Sequence, residues 1–307
     1  MDADVFFPGV ISALKDGSLD LLTGNHDGVA WRASRCGRNE VWRIEADSIG
    51  TFFAKRHREH AEFVRELFGY TVAAEIARQT PEKFYVADVV FQDANEHVLV
   101  TRQIEGESLR TLVRNALRRD RNLLFRRSPR QSLCSALELL REWLTALHSV
   151  TESESVELED HSVVGVRNRI SRHLARLSMS NQADRRESAE PTLKHDVPPG
   201  PEGLVFSDVS LDNFFFHQGR VAAIDFEDLG WGRTERDAMV LRRSVLDAME
   251  NWKYWRDERV DRIVQVASGP LSRLVELELA VLRIPAARTS LAAENLAESN
   301  LLTPGVI

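Results

Sequence analysis

Residues 203–232 read GLVFSDVSLDNFFFHQGRVAAIDFEDLGWG, and the interpretation of this stretch decides the fold. Two short apolar runs, FFF and VAAI, flank His217-Gln218-Gly219-Arg220, a group that favours a turn. The pattern predicts a β-hairpin with strands over 213–216 and 221–226. Asp208 falls in the loop before the first strand, Asn213 at its start and Asp225 near the end of the second. A carboxylate at such a strand end contributes little to folding, yet the hairpin brings all three polar side chains to one edge.

Phosphoryl transfer needs a set of this kind. One carboxylate accepts or orients the proton of an attacking hydroxyl, while an amide oxygen and a second carboxylate hold Mg²⁺ against nucleotide phosphates. The order D-x-x-x-x-N, then an apolar strand ending in I-D-F, has that form. It is more specific than a lone motif because a hairpin must separate its parts.

Working outward, the first third of the chain reads as strands around one helix. EVWRIEA (40–46) and TFFAKRH (51–57) flank the turn-like Asp47-Ser48-Ile49-Gly50 and predict a hairpin. Residues 59–78 carry Phe63, Leu67, Val72 and Ile76 at helical spacing. FYVADVVF and HVLVTRQI, parted by residues 92–96, predict a second hairpin. After Gly106 the pattern turns helical over 107–120 and 131–150, where Leu133, Leu137, Leu140, Leu144 and Leu147 recur. Residues 151–163 and 179–202 read as polar loops, and 234–300 as helical again. The expected organisation is a nucleotide-binding lobe over 1–104 and a helical lobe over 105–307 that carries the catalytic loop and the acceptor site.

LVFSDVSLDNFFFHQGRVAAIDFEDLGWG resembles the catalytic segment of aminoglycoside phosphotransferase-like, choline-kinase-like small-molecule kinases, which reads H-G-D-x-x-x-x-N and then I-D-W or I-D-F-E. The resemblance implies an α+β, protein-kinase-like bilobal fold with an N-terminal antiparallel sheet, one helix and a larger helical C-terminal lobe. It implies ATP and Mg²⁺ as cofactors, Asp208 as catalytic base, Asn213 and Asp225 as metal ligands, and Glu227 in support of the metal. Asp237, in RDAMVL, matches an aspartate that braces the lobe. The sequence departs from the family at Phe206 and Ser207, which replace its histidine and glycine. That histidine stabilises the loop by hydrogen bonding, whereas a phenylalanine packs.

The same resemblance makes demands on the N-terminal region. Lys55, on the second strand of the first hairpin, matches the phosphate-contacting lysine. Glu66 matches the glutamate that orients it, with Glu62 and Glu75 as competitors on the same helix. Residues 36–42, CGRNEVW, resemble the family's G-x-x-N-x-V-W/Y loop and place Gly37 and Asn39 near phosphate. VTRQIEGESL resembles the hinge between lobes, where Arg102, Gln103 and Ile104 line the adenine edge through main-chain atoms. His148 resembles the family's L-H signature and reads as a packing or capping residue. Each residue has a plainer reading: Lys55 an exposed strand lysine, Glu66 a solvated helix residue, Asn213 a turn former. Their joint order from about 30 to 245 is what separates the two readings.

Composition bounds the rest. The chain has 307 residues, a formal net charge of −7 and two cysteines. These numbers weigh against a general nucleic-acid binder, a disulfide framework and a thiolate metal cluster. No stretch matches a signal peptide or a membrane span, so a cytoplasmic setting without a membrane partner is expected. Past Asp225 and Phe226 the chain runs EDLGWGRTERDAM, with helical pattern from about residue 235, which leaves no room for a long peptide-docking segment. The expected partner is therefore a small hydroxyl-bearing acceptor: a sugar, an amino alcohol or an antibiotic. Trp231, Trp252, Tyr254 and Trp255 are candidates to face it, against core packing. The arginine-rich stretch within 114–130 reads either as a solvated face or as a surface for an anionic partner. A nucleotide-binding pseudokinase or regulatory protein is the alternative function, with a protein kinase ranked behind it. The sequence does not set the oligomeric state.

Overall fold

The computed structural model describes residues 3–14, 21–36, 40–119, 128–151, 156–175, 189–249, 258–265 and 269–282. The chain forms two compact units, Met1–Ser162 with Gly200–Val266, and Val163–Pro199 with Ala267–Ile307.

The first unit opens with α1 (Ala3–Leu14), β1 (Leu21–His26), β2 (Val29–Arg35), β3 (Val41–Ala46), β4 (Gly50–Arg56), α2 (His60–Gln79), β5 (Val89–Asp93) and β6 (Val98–Arg102). The strands make one antiparallel sheet in the order β1-β2-β3-β4-β6-β5. Both predicted hairpins form, across 47–50 and 94–97. Period-two alternation then sorts the side chains. Trp42, Ile44, Phe52, Ala54, Val98 and Val100 bury one face against Phe6, Phe7, Val10 and Ile11 of α1. Phe53, Lys55, Leu99 and Thr101 fall on the opposite face and line a cleft. Lys55 is thus aimed by the buried Phe52 and Ala54 that precede it on β4.

The chain continues through β7 (Glu107–Ser108), α3 (Leu109–Arg119), α4 (Ser128–His148), β8 (Glu159–His161), α5 (Val163–Ala175), β9 (Glu202–Val205), β10 (Phe214–His217), β11 (Arg220–Ala223), β12 (Gly230–Arg233), α6 (Glu235–Met249), α7 (Glu258–Ile263) and α8 (Pro270–Leu282). In α4, Leu133, Leu137, Leu140, Leu144 and Leu147 are all buried, as their spacing anticipates. Trp143 is buried with them and meets Phe206 and Phe214 edge-on, at centroid distances of 5.7 and 5.8 Å. The predicted hairpin is β10–β11, with Phe214 opposite Ala223.

Several expectations shift. The returning strand ends at Ala223 rather than Phe226, because Asp225 takes a positive φ of 68° and leaves the ladder. Residues 84–88 stay outside β5, although Phe84 bridges to Val221. Residues 107–108 pair with β10 before α3 begins. The 151–163 loop contains β8, which pairs in parallel with β12. β1 adds a strand to the sheet ahead of residue 30, and α1 packs on the sheet from further upstream. In the second unit α5 packs on α8 through Val166, Ile170, Leu174, Leu274 and Val281. There the Arg169 Nε donates to the fully buried Glu278 at 2.8 Å.

Candidate active site

At the end of β4 the Lys55 ammonium is shared by three carboxylates. It lies 2.7 Å from Glu66 Oε2 and 2.8 Å from Glu227 Oε2, and it also bonds Asp225. Burial alone would discharge this amine, but Glu66, Asp225 and Glu227 outweigh it and hold the pKa above the ordinary lysine value. Of the three α2 glutamates, Glu66 alone meets Lys55. Glu62 accepts from the Arg58 amide, and Glu75 pairs with Arg78 and Gln79 on the exposed side.

His57 lies two residues beyond Lys55. Its side chain is fully buried, with Nε2 3.4 Å from Glu66 Oε2. Neither ring nitrogen finds a hydrogen-bond partner among the described residues. Burial, followed by the charge of Lys55, pulls its pKa down to about 3, so the ring is neutral. Ligand atoms of His57, Glu66 and Glu227 come within 4.8 Å of one another. The Lys55 ammonium already bonds both of those carboxylates.

Asp208 stands on a loop built by short local bonds. The Asp208 amide donates to the Phe206 carbonyl at 2.9 Å, a γ-turn in which Ser207 takes a φ of 69°. The Ser210 amide returns to the Asp208 carbonyl at 2.7 Å, and the Asn213 amide to the Ser210 carbonyl at 3.0 Å. Asn213 Nδ2 donates to Asp208 Oδ2 at 3.0 Å, which turns the amide oxygen of Asn213 away from the carboxylate. The Ile224 amide donates to the Asn213 carbonyl at 2.9 Å and so ties the loop to the residue before Asp225. Burial, then the charge of Asp225, raises the Asp208 pKa against the pull of Asn213.

The loop is anchored from behind by Asp237, whose side chain is fully buried. Its two oxygens accept from the Phe206 and Ser207 amides, both at 2.9 Å, and from His148 Nε2 at 2.8 Å. Phe206 is fully buried and packs against Trp143, Phe214 and Phe226. The aromatic core and the Asp237 carboxylate together hold a loop that lacks the family's histidine.

Lys55, Glu66 and Asp225 close one end of a cleft of about 360 Å³. Apolar side chains of Val41, Phe53, Ala87, Leu99, Phe215 and Ile224 line it, with Arg102, Gln103 and Ile104 along its edge. The Arg102 amide is given to the Asp88 carbonyl and the Gln103 amide to the Thr51 carbonyl, both at 2.9 Å. The Ile104 amide, by contrast, has no such backbone partner among the described residues. Gly37 and Asn39 lie outside the described residues, as do Trp252, Tyr254 and Trp255 and most of the arginine-rich stretch. Trp231 is half-buried on β12, where its backbone pairs with Leu204.

Sequence reading alone did not single out Asp228, His57 or Arg65. Asp228 reaches solvent, yet surrounding protein and then Glu227, Asp208, Asp225 and Glu159 push its pKa up to about 6. The run Asp225-Phe226-Glu227-Asp228 was the available signal for it. For His57 the signal was its position two residues past Lys55, just beyond the end of β4.

An antiparallel sheet with one linking helix, a lysine–glutamate pair and a carboxylate–amide loop make up a protein-kinase-like arrangement. The chain belongs to the phosphotransferase enzyme family (APH), whose model matches residues 37–275. A comparison with curated proteins finds no match. Among solved structures, the chain is similar to macrolide 2'-phosphotransferase MphH from Brachybacterium faecium. Identity is 16%, with 97% of this chain and 99% of that one covered, at a TM-score of 0.52. It is similar to choline kinase LicA from Streptococcus pneumoniae at 11% identity, covering 98% and 93% of the two chains, with a TM-score of 0.53. It is also similar to ADP-bound aminoglycoside phosphotransferase APH(2'')-Ib at 15% identity, covering 99% and 97%, with a TM-score of 0.51. At these identities the likeness carries the fold. No helix among the described residues is long and apolar enough to cross a membrane.

Proposed function

We propose that this phosphotransferase is an ATP- and Mg²⁺-dependent kinase that phosphorylates a hydroxyl of a small molecule. One observation carries the reading. The Lys55 ammonium, held between Glu66 and Asp225, closes an apolar cleft, and Ile224, the residue before Asp225, is hydrogen-bonded to Asn213 of the Asp208 loop.

Asp225, Glu227 and the amide oxygen of Asn213 offer oxygen donors of the kind a hard dication takes. They would hold Mg²⁺, which supplies charge neutralisation at the phosphates when bound. The same two carboxylates already gather a cation, the Lys55 ammonium. Lys55, released from them, would reach the nucleotide phosphates while Glu66 keeps it oriented. The apolar cleft takes the base, and the Ile104 amide is the hinge donor available for its edge. Asp208 accepts or orients the proton of the acceptor hydroxyl. Its raised pKa makes its carboxylate a stronger base than a solvated aspartate.

The three similar structures are named for a macrolide, choline and an aminoglycoside, so they define an acceptor class rather than one acceptor. Asp208 feels the negative charges of Asp225, Glu227 and Asp212, and Asp228 those of Glu227, Asp208, Asp225 and Glu159, an acidic setting that disfavours an anionic acceptor. Phe206 and Ser207 motivate the alternative of a nucleotide-binding pseudokinase. Against it, Asp237 and the aromatic core keep the Asp208 loop in place without the histidine.

The test is ADP release from ATP and Mg²⁺ over sugars, amino alcohols, aminoglycosides and macrolides, with Asp208→Ala as control. Turnover with at least one neutral or cationic acceptor, lost in the variant, is expected. Nucleotide binding without transfer to any of them would favour the pseudokinase.

A further inference from the structure

We propose that Arg65 is a positioning residue that sets the geometry of the Asp225–Glu227 segment from α2, and through it the affinity for the metal. The proposal rests on the phosphotransferase reading of that site. Arg65 precedes Glu66, so their side chains leave α2 about 100° apart. Glu66 points at Lys55, and Arg65 points at the chain just beyond Asp225. Its side chain is 7% exposed. Nε donates to the Glu227 carbonyl at 2.8 Å, Nη1 to the Glu157 carbonyl at 3.4 Å, and Nη2 lies 3.1 Å from Glu159 Oε1.

The same helix face makes a second, independent contact with this segment. Gly69, one turn on, lies so close to Phe226 that a Cβ there would stand 2.3 Å from both Cβ and Cγ of the ring residue. Tyr70 meets the Phe226 ring edge-on at a centroid distance of 4.9 Å. α2 therefore grips residues 226 and 227, immediately after Asp225. Glu227 is held on both sides, its carboxylate by Lys55 and its carbonyl by Arg65.

The grip is needed because β11 ends at Ala223 and Asp225 takes a positive φ. Past that point the hairpin ladder no longer fixes the backbone. Arg65 supplies the missing constraint by hydrogen-bonding the carbonyl of one carboxylate residue two positions from the other. A guanidinium suits this task because its fork reaches two carbonyls and a carboxylate at once, which lysine does not. The Lys55–Glu66 pair and the metal-holding carboxylates then share one framework, since the residues that orient them are neighbours on α2.

The experiment measures ADP affinity of the full chain in excess EDTA and across a Mg²⁺ titration, for the parent, Arg65→Met and Arg65→Lys. Removing an outer support of a metal site commonly weakens metal affinity by about 10- to 100-fold. Arg65→Met is expected to raise the Mg²⁺ half-saturation concentration about tenfold or more, while ADP affinity in EDTA stays within about twofold. Arg65→Lys, which keeps the charge and one donor, is expected to fall between, and it carries the test alone if Arg65→Met does not fold. A half-saturation within twofold of the parent overturns the proposal. So does an equal loss of affinity with and without Mg²⁺, which marks plain loosening of the cleft. A parent that binds ADP identically with Mg²⁺ and EDTA overturns the metal-dependent reading of the site, and the proposal with it.

Discussion

Replacing Asp237 by asparagine changes one atom and leaves the side-chain shape intact, so its effect isolates what the carboxylate does. Asp237 is fully buried and its oxygens accept from the Phe206 amide, the Ser207 amide and His148 Nε2. An asparagine oxygen placed at the Oδ2 position keeps the Phe206 and His148 bonds. Its NH₂ group then faces the Ser207 N–H, donor against donor. A buried amide left without an acceptor costs about 1–3 kcal/mol, and the two remaining bonds lose the strengthening of a charged acceptor, about 1 kcal/mol together. The sum is about 3 kcal/mol. For a unit of this size each kcal/mol lowers Tm by about 2–4 °C, so Asp237→Asn should melt about 6–12 °C below the parent. Thermal unfolding followed by circular dichroism measures it, and hydrogen exchange should show faster exchange of the Phe206 and Ser207 amides first. A variant that melts within about 1 °C of the parent, with unchanged exchange there, would refute the view that Asp237 anchors the Asp208 loop.

Two further outcomes follow from the same geometry. Ser207→Gly places a residue without a Cβ at a φ of 69°, removing about 1 kcal/mol of backbone strain, and gives up a long 3.4 Å contact from Arg236. Denaturant unfolding should find the variant as stable as the parent or more so, with phosphoryl transfer within about twofold. His57 is buried and neutral, with a pKa near 3 against an ordinary 6.5. Between those values the unfolded chain binds a proton that the folded chain refuses, so this contribution to stability is present above pH 6.5 and is lost as the pH falls. The loss is about 1.4 kcal/mol per pH unit, or about 2 kcal/mol from pH 6.5 to 5. His57→Gln lacks it, so the unfolding free energy of the parent relative to the variant should drop by that amount over this interval. A pH-independent difference would show that His57 is not held neutral.

Much of the site was legible because it rests on local pattern. Alternation in TFFAKRH sends Phe52 and Ala54 one way and Lys55 the other, and two apolar runs about a turn set the β10–β11 hairpin. The Asp208 loop follows from its order relative to that hairpin. Helix register was harder. α2 is buried on more than one side, with Arg65 and Glu66 buried beside Phe63, so an apolar stripe could not choose among Glu62, Glu66 and Glu75. α1 carries Pro8 inside the helix, which argues locally against one, and β1 has no fully buried residue to mark a face. β8 is only Glu159–His161, and it exists because a distant strand pairs with it. Arg65 contacts Glu227, which lies 162 residues away, and no local periodicity encodes that. The end of β11 was missed for a related reason, since a positive φ at an aspartate leaves no mark in hydropathy.

The central claim is that Asp208 and Asp225 act on one nucleotide in different ways, and a paired measurement on Asp208→Asn and Asp225→Asn tests it most directly. Each variant is scored for Mg²⁺-dependent ADP binding and for transfer from ATP to the acceptors found by the screen. The account predicts that Asp208→Asn keeps Mg²⁺-dependent binding while transfer falls by about 10²- to 10⁴-fold, and that Asp225→Asn loses the Mg²⁺-dependent part of binding itself. Transfer by Asp208→Asn at the parent's rate, or an undiminished response of Asp225→Asn to Mg²⁺, would contradict it.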